Sequence, residues 1–211
     1  MYKLLSAKPS PYARKVRIQL AEKHIPFELV TEVPWNSDTQ TPRWNPLEKL
    51  PVLICDDGHA VFESRFIGEW LELKHPEPAL VPADVDGILA VKRFEVIVDG
   101  ACDALILTIF ENSRDEDKRS APWIERQRRK VDGALRELSH MVGDRAFCHG
   151  DRFTLADVAT GTLLGYMSVR WPQIDWRQRH PNLAAYFDRI DQRPSFAATR
   201  PEAQVIRDRV V

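Results

Sequence analysis

Residues 45–64 read Asn-Pro-Leu-Glu-Lys-Leu-Pro-Val-Leu-Ile-Cys-Asp-Asp-Gly-His-Ala-Val-Phe-Glu-Ser. Val52 to Cys55 is a short apolar run of strand type. Asp57-Gly58 is a hairpin signal, because the turn needs φ > 0 and glycine supplies it. Ala60 to Phe62 is the return strand. Glu63-Ser64 then stand where the spacing of Phe66, Ile67, Trp70 and Leu71 predicts the start of an amphipathic helix.

Upstream, Met1 to Ser6 reads as a strand, Ser10 to His24 as a helix with Ala13, Val16, Leu20 and Ala21 on one face, and Pro26 to Thr31 as a second strand. A strand–helix–strand step of this length requires a crossover, and right-handed parallel pairing is the expectation. Thr31 to Asn45 is irregular, with Pro34 and Pro42 as breakers. The order β-α-β, loop, β-β-α predicts a small mixed sheet with helices packed on it. Downstream, residues 76–83 form a proline-rich linker. Beyond it only helical periodicity remains. Phe94, Ile97, Val98, Ala101 and Leu105 carry the first apolar stripe, and Val131, Ala134, Leu135, Leu138 and Val142 the second. Leu155, Val158, Ala159, Thr162 and Leu163 carry the third. Pro181 to Arg193 predicts one more helix. The reading is an α/β domain over 1–75 and an all-α domain over 84–211.

Composition narrows the function classes. The chain has 211 residues, is 44% apolar and 29% charged, and has a net charge of -1. No global field recruits nucleic acid or a membrane surface, and no apolar run reaches the length of a membrane span. The basic run Arg126, Arg128, Arg129 and Lys130 shares its helix with Glu125, Asp132 and Glu137, the pattern of a solvated face. Cys55, Cys102 and Cys148 are far apart and odd in number, and no CxxC occurs, so neither zinc nor dithiol chemistry is expected. His149 beside Cys148 lacks a further ligand at usable spacing. A reducing compartment, the cytoplasm, is the expected location.

Three motifs stand in order along the chain: Ser10-Pro-Tyr-Ala-Arg-Lys, then Asn45-Pro46 through Pro51-Val52-Leu53 with its hairpin and Glu63-Ser64, then Phe153-Thr-Leu-Ala-Asp-Val. Together they resemble the glutathione S-transferase superfamily, and among its branches the bacterial YibF-like proteins. The resemblance covers nearly the whole chain. It implies a thioredoxin-like domain that binds glutathione, followed by an all-α domain that forms the second-substrate pocket.

Each residue has a plain structural reading beside the implied one. Ser10-Pro11 is a helix start, Ser at N-cap and Pro at N1. The same helix end favours an anion, and the resemblance makes Ser10 the thiol-activating residue. A thiol with pKa about 8.5 is only a few per cent ionised at neutral pH. Lowering that value by ~2 units takes roughly 2.7 kcal/mol. One hydroxyl hydrogen bond to an anion supplies about 1.5–3 kcal/mol, and the helix end about 0.3–1 more. Ser rather than Cys at this position argues against mixed-disulfide chemistry and for conjugation or peroxide reduction.

Leu50-Pro51 is a loop proline, ordinarily trans. The resemblance implies cis, with the Leu50 main chain pairing the cysteinyl unit of the ligand like an added strand. Glu63 complements a helix dipole; by resemblance it holds the γ-glutamyl ammonium, and Ser64 the neighbouring carboxylate. For the glycine carboxylate the candidates are Asn36, Trp35, Arg14 and Lys49, with Asn36 first by loop position. Tyr12, Phe110, Tyr166 and Trp171 are expected to line the second-substrate pocket, with core packing the alternative for each. Thr154-x-x-Asp157 is a capping box and reads as a folding signal.

The implied function is activation of the glutathione thiol for attack on a small electrophile or peroxide, in a homodimer, with no metal, nucleic acid or membrane. Two rivals stand. A glutathione-dependent isomerase of the maleylacetoacetate type carries Ser-Ser-Cys where this chain has Lys8-Pro9-Ser10. The other is a glutathione-binding regulatory protein with little turnover.

Overall fold

The computed structural model describes residues 1–211. Its first half is a four-stranded mixed sheet in the order β2-β1-β3-β4. Strand β1 (Tyr2–Ser6) pairs in parallel with β2 (Phe27–Thr31), and helix α1 (Pro11–Glu22) makes the crossover. Strand β3 (Val52–Ile54) runs antiparallel to β1, with Leu4 opposite Leu53, and β4 (Ala60–Phe62) antiparallel to β3, with Leu53 opposite Val61. Side chains alternate across a strand. Leu4, Leu53 and Val61 therefore meet on one face, where Val16 and Leu20 of α1 and Ile67 and Leu71 of α2 (Ser64–Lys74) close over them. Leu5, Val52 and Ile54 point the other way and pack with Leu50, Trp44 and Phe62. Phe66 does not join this core; it is 56% exposed.

The second half is helical: α3 (Val85–Ser113), α4 (Ala121–Val142), α5 (Leu155–Arg170), α6 (Trp176–Arg179), α7 (Pro181–Ile190) and α8 (Pro194–Ala197). Helix α5 is apolar around most of its circumference and is buried from Leu155 to Met167, as a helix of that pattern must be. Its start is fixed by the capping box. Thr154 donates its N–H and hydroxyl to Asp157 Oδ2 at 2.8 and 3.1 Å, while Cys148 N and Tyr186 Oη donate to Oδ1 at 2.7 and 2.8 Å. The buried carboxylate is thus fully satisfied.

Helix α1 departs from its one-sided pattern. Arg14, Lys15, Arg17 and Gln19 are buried along with Val16 and Leu20, because α1 lies between the sheet and the helical half. Each cation has a partner there. Arg14 donates to the Phe196 carbonyl and lies 5.3 Å from the Phe196 ring centroid; Lys15 reaches Asp99 at 2.6 Å. Gly165 on α5 makes room for Arg14, since a Cβ there would collide with the guanidinium. The proline-rich linker is clamped by Lys23, whose ammonium donates to the carbonyls of His75 and Pro78 at 2.7 and 2.8 Å.

The chain beyond α8 is not helical. It returns across the α/β half: Gln204 accepts from Lys8 N and donates to the Glu32 carbonyl, and Arg207 pairs with Asp38 at 2.5 Å. No helix is long and apolar enough to cross a membrane.

Candidate functional site

A cavity of about 580 Å³ opens between the two halves. Its α/β wall comes from chain ends that the sheet holds side by side. Ser10 is the N-cap of α1, with extended backbone; its Oγ accepts from Ala13 N at 3.2 Å and keeps its own proton to donate. Leu50 is nearly buried, and its N–H and C=O make no hydrogen bond within the chain. The Leu50-Pro51 bond is cis. Glu63 is the N-cap of α2 at φ 72°, and its Oε1 accepts from Arg65 N and from Ser64 Oγ, both at 3.3 Å. Ser64 is buried at the first position of α2. Ser10, Leu50, Pro51, Glu63 and Ser64 all line the one cavity.

The opposite wall is helical. Ile106, Ile109 and Phe110 come from α3, and Tyr166 and Arg170 from α5. Trp35 crosses from the α/β half and packs edge-on to Phe110 at 4.5 Å between centroids. Tyr12 donates its hydroxyl to Asp103 Oδ1, and burial above all pushes that phenol upward. The tail adds Gln204 and Ile206.

Acids unmarked by the sequence reading complete the site. Asp99 and Asp103 sit one turn apart on α3 and both line the cavity. Asp99 binds Lys15, and Arg65 stands 3.3 Å from its other oxygen and 3.8 Å from Glu63. Burial pushes the Asp99 carboxyl up against the pull of these two cations. The available signal was an acid inside the apolar stripe between Val98 and Cys102, where an unpaired carboxylate would be costly.

Two expected site residues stand elsewhere. Asn36 is buried off the cavity, and its Oδ1 accepts from Arg207 N at 2.9 Å. A tail residue distant in sequence has taken the acceptor oxygen of that amide. Trp171 follows the last turn of α5 and packs against the helical core, not the cavity. Tyr166 and Arg170 share a helix face at i and i+4, and the next residue turns away. Of the other candidates for a carboxylate, Arg14 is committed to the interior, while Trp35 and Lys49 line the cavity.

The hairpin holds a second polar cluster. Cys55 Sγ is 3.6 Å from His59 Nε2, and His59 Nδ1 is 2.7 Å from Asp57 Oδ1. The three groups lie within 4.8 Å of one another and could hold a thiophilic cation. A search for paired cysteines passes over this Cys-x-Asp-x-His spacing. It lies outside the cavity lining.

A helix-capping hydroxyl, an unpaired main-chain pair and an acid–hydroxyl step around one cavity form a site suited to an extended, doubly charged peptide. Known proteins share the sequence and the fold. The glutathione S-transferase N-terminal domain family matches residues 9–74, and the C-terminal domain family residues 121–189. The uncharacterized GST-like protein YibF of Escherichia coli is 34% identical over 94% of this chain and 98% of its own. A maleylacetoacetate isomerase of Pseudomonas aeruginosa is 27% identical over 96% of this chain and 97% of its own. The crystal structure of a glutathione S-transferase from Methylobacterium radiotolerans, in complex with glutathione sulfonate, superposes with a TM-score of 0.98. It is 63% identical and covers 100% of this chain and 99% of its own. In motif order, in sheet topology and along its whole length, the chain belongs to the glutathione S-transferase family.

Proposed function

We propose that this protein binds glutathione in the cavity and activates its thiol for attack on a small electrophile. The observation that carries the reading is the convergence of Ser10, the unpaired Leu50 main chain, Glu63 and Ser64 on one cavity. The Leu50 N–H and C=O pair with the cysteinyl unit. Glu63 takes the γ-glutamyl ammonium, and Ser64 with the start of α2 takes the adjoining carboxylate. Lys49, beside Leu50 on the cavity wall, takes the glycine carboxylate in place of Asn36. Ser10 donates to the sulfur at the end of α1, and the thiolate forms facing the helical wall.

Ser10 is not a thiol and forms no mixed disulfide with the ligand, so with a carbon electrophile the product is a thioether. With a peroxide the thiolate takes one oxygen as a sulfenate and releases the alcohol, and a second glutathione thiol converts the sulfenate to glutathione disulfide and water. The isomerase reading draws support from the Pseudomonas relative and uses the same thiolate as an adding and departing nucleophile. We further infer a cytoplasmic homodimer; three free, buried cysteines suit a reducing compartment.

Isothermal titration with reduced glutathione is the test. A single site is expected, and ligand at a hundredfold excess over Kd should stabilise the fold by about 2.7 kcal/mol. No heat and no melting shift at millimolar glutathione would sink the reading. Ser10→Ala should keep the affinity and raise the apparent pKa of the bound thiol, followed by thiolate absorbance against pH. An unchanged midpoint removes Ser10 from the chemistry.

A further inference from the structure

Asp99 and Asp103 on the helical wall are answered from the α/β half, whereas Arg170 has no carboxylate partner and only the Tyr166 hydroxyl beside it. Tyr12 occupies Asp103, and Asp99 carries Lys15 and faces Arg65. Arg170, in the last turn of α5, has no carboxylate within 4 Å of its guanidinium. Its Nε is buried and makes no hydrogen bond. The side chain is half-buried and lines the cavity one turn from Tyr166. Around it the wall is apolar: Ile106, Ile109 and Phe110, with Trp35 against Phe110.

A cation in the final turn of a helix complements the dipole, which explains an arginine at position 170. It does not explain a buried donor left without an acceptor. Such a donor costs the desolvation of the group and gets nothing back. A guanidinium differs from an ammonium in presenting a planar fork of donors that matches a carboxylate in two parallel bonds. An apolar wall with one such fork suits a ligand with an apolar body and an acidic end.

We propose that Arg170 makes the helical side of the cavity a carboxylate-recognising subsite, so that the second substrate is an apolar electrophile bearing a carboxylate. This rests on the transferase reading above. The body of the electrophile lies against Phe110 and Ile106, its reactive carbon toward Ser10, and its carboxylate on Arg170.

The test compares two glutathione conjugates that differ only at the distal end: S-(4-carboxybenzyl)glutathione and its benzoate methyl ester. Their glutathione halves are the same, so the difference reports the subsite alone. The intact chain should bind the acid at least about tenfold more tightly than the ester by isothermal titration, the yield of one charge-assisted bond. Arg170→Met and Arg170→Gln should abolish that preference with Kd for reduced glutathione unchanged, and Arg170→Lys should restore part of it. Equal binding of acid and ester by the wild-type chain overturns the proposal. So does a preference that survives in both neutral variants. A loss of affinity for reduced glutathione equal to the loss for the acid also overturns it, because Arg170 would then belong to the peptide site. Should reduced glutathione itself give no heat, the transferase reading fails. The subsite is then read from 4-chloro-3-nitrobenzoate against its methyl ester, with the same variants and the same two outcomes.

Discussion

Glu63 carries two roles at one position. Its carboxylate caps α2 and faces the cavity, while its backbone sits at φ 72°, ψ 123°. A side-chain-bearing residue held there costs roughly 1–3 kcal/mol. Glycine alone escapes that cost. Replacing Glu63 by Ala keeps the strain and loses the cap; replacing it by Gly loses the cap and the strain together. Glu63→Gly should therefore unfold at a higher urea concentration than Glu63→Ala, by about 1–2 kcal/mol, the reverse of the usual order of these residues. Both should lose glutathione binding. A less stable Gly variant would mean that the turn imposes no strain.

Such a backbone is not legible in the sequence. The acid–hydroxyl step after a hairpin is legible as a helix start, because residue types at a helix end follow from the N–H groups they cap. Asn36 marks the opposite limit. Its type and loop position suit a ligand, yet it lies off the cavity with its Oδ1 accepting from Arg207, and nothing local to residues 30–40 announces a partner 171 positions away.

At the scale of elements, α1 and α3 meet through charge. Glu95 lies on α3 beside Lys15, Lys92, Asp99 and Glu69. Burial is the main cause that pushes its carboxyl up from 4.5 to about 7, with the two acids adding to it and the two lysines opposing. Between those values the folded chain holds a proton that the unfolded chain has released. The stability this group contributes is complete below about pH 4.5 and is lost as pH rises through about 7. Glu95→Gln should match the wild type in mildly acid urea titrations and exceed it above neutrality. Parallel stability curves for the two chains would refute the assignment. The helical periodicities of α3, α4 and α5 follow from the sequence, since an apolar stripe has only one face to bury. The full burial of α1 does not, because a charged face reads as solvated until the neighbours that neutralise it are in place.

The whole molecule raises the question of assembly. The apolar residues of α3 outside the Phe94 stripe divide on folding. Val91 enters the core, and Ile106, Leu107 and Ile109 line the cavity, so these have uses within one chain. Leu89 and Val96 remain more than half exposed. Phe66 and Leu73 on α2 are exposed as well, and Lys92 of α3 pairs with Glu69 of α2 in the same region. The dimer inferred above therefore rests on exposed apolar residues of α2 and α3 together. A stable interface needs at least ~1,000 Å² in total. Sedimentation equilibrium should give a species near twice 24.3 kDa at tens of micromolar, and Phe66→Glu should shift it toward the monomer. A single 24.3 kDa species would remove the dimer.

The sequence by itself determined the order of elements, the two-part organisation and the capping box of α5. All of these are local. Each depends on turn chemistry, on the period of an apolar run or on what a helix end can hold, and such information lies within a few residues. Tertiary structure alone decided which charges are answered and which are not. Asp99 is bound by Lys15, 84 positions away, and Asn36 by the tail; Arg170 lines a cavity with its buried Nε unpartnered. Electrostatic partners meet across folded surfaces, and their distances are fixed only when the sheet and the helices pack.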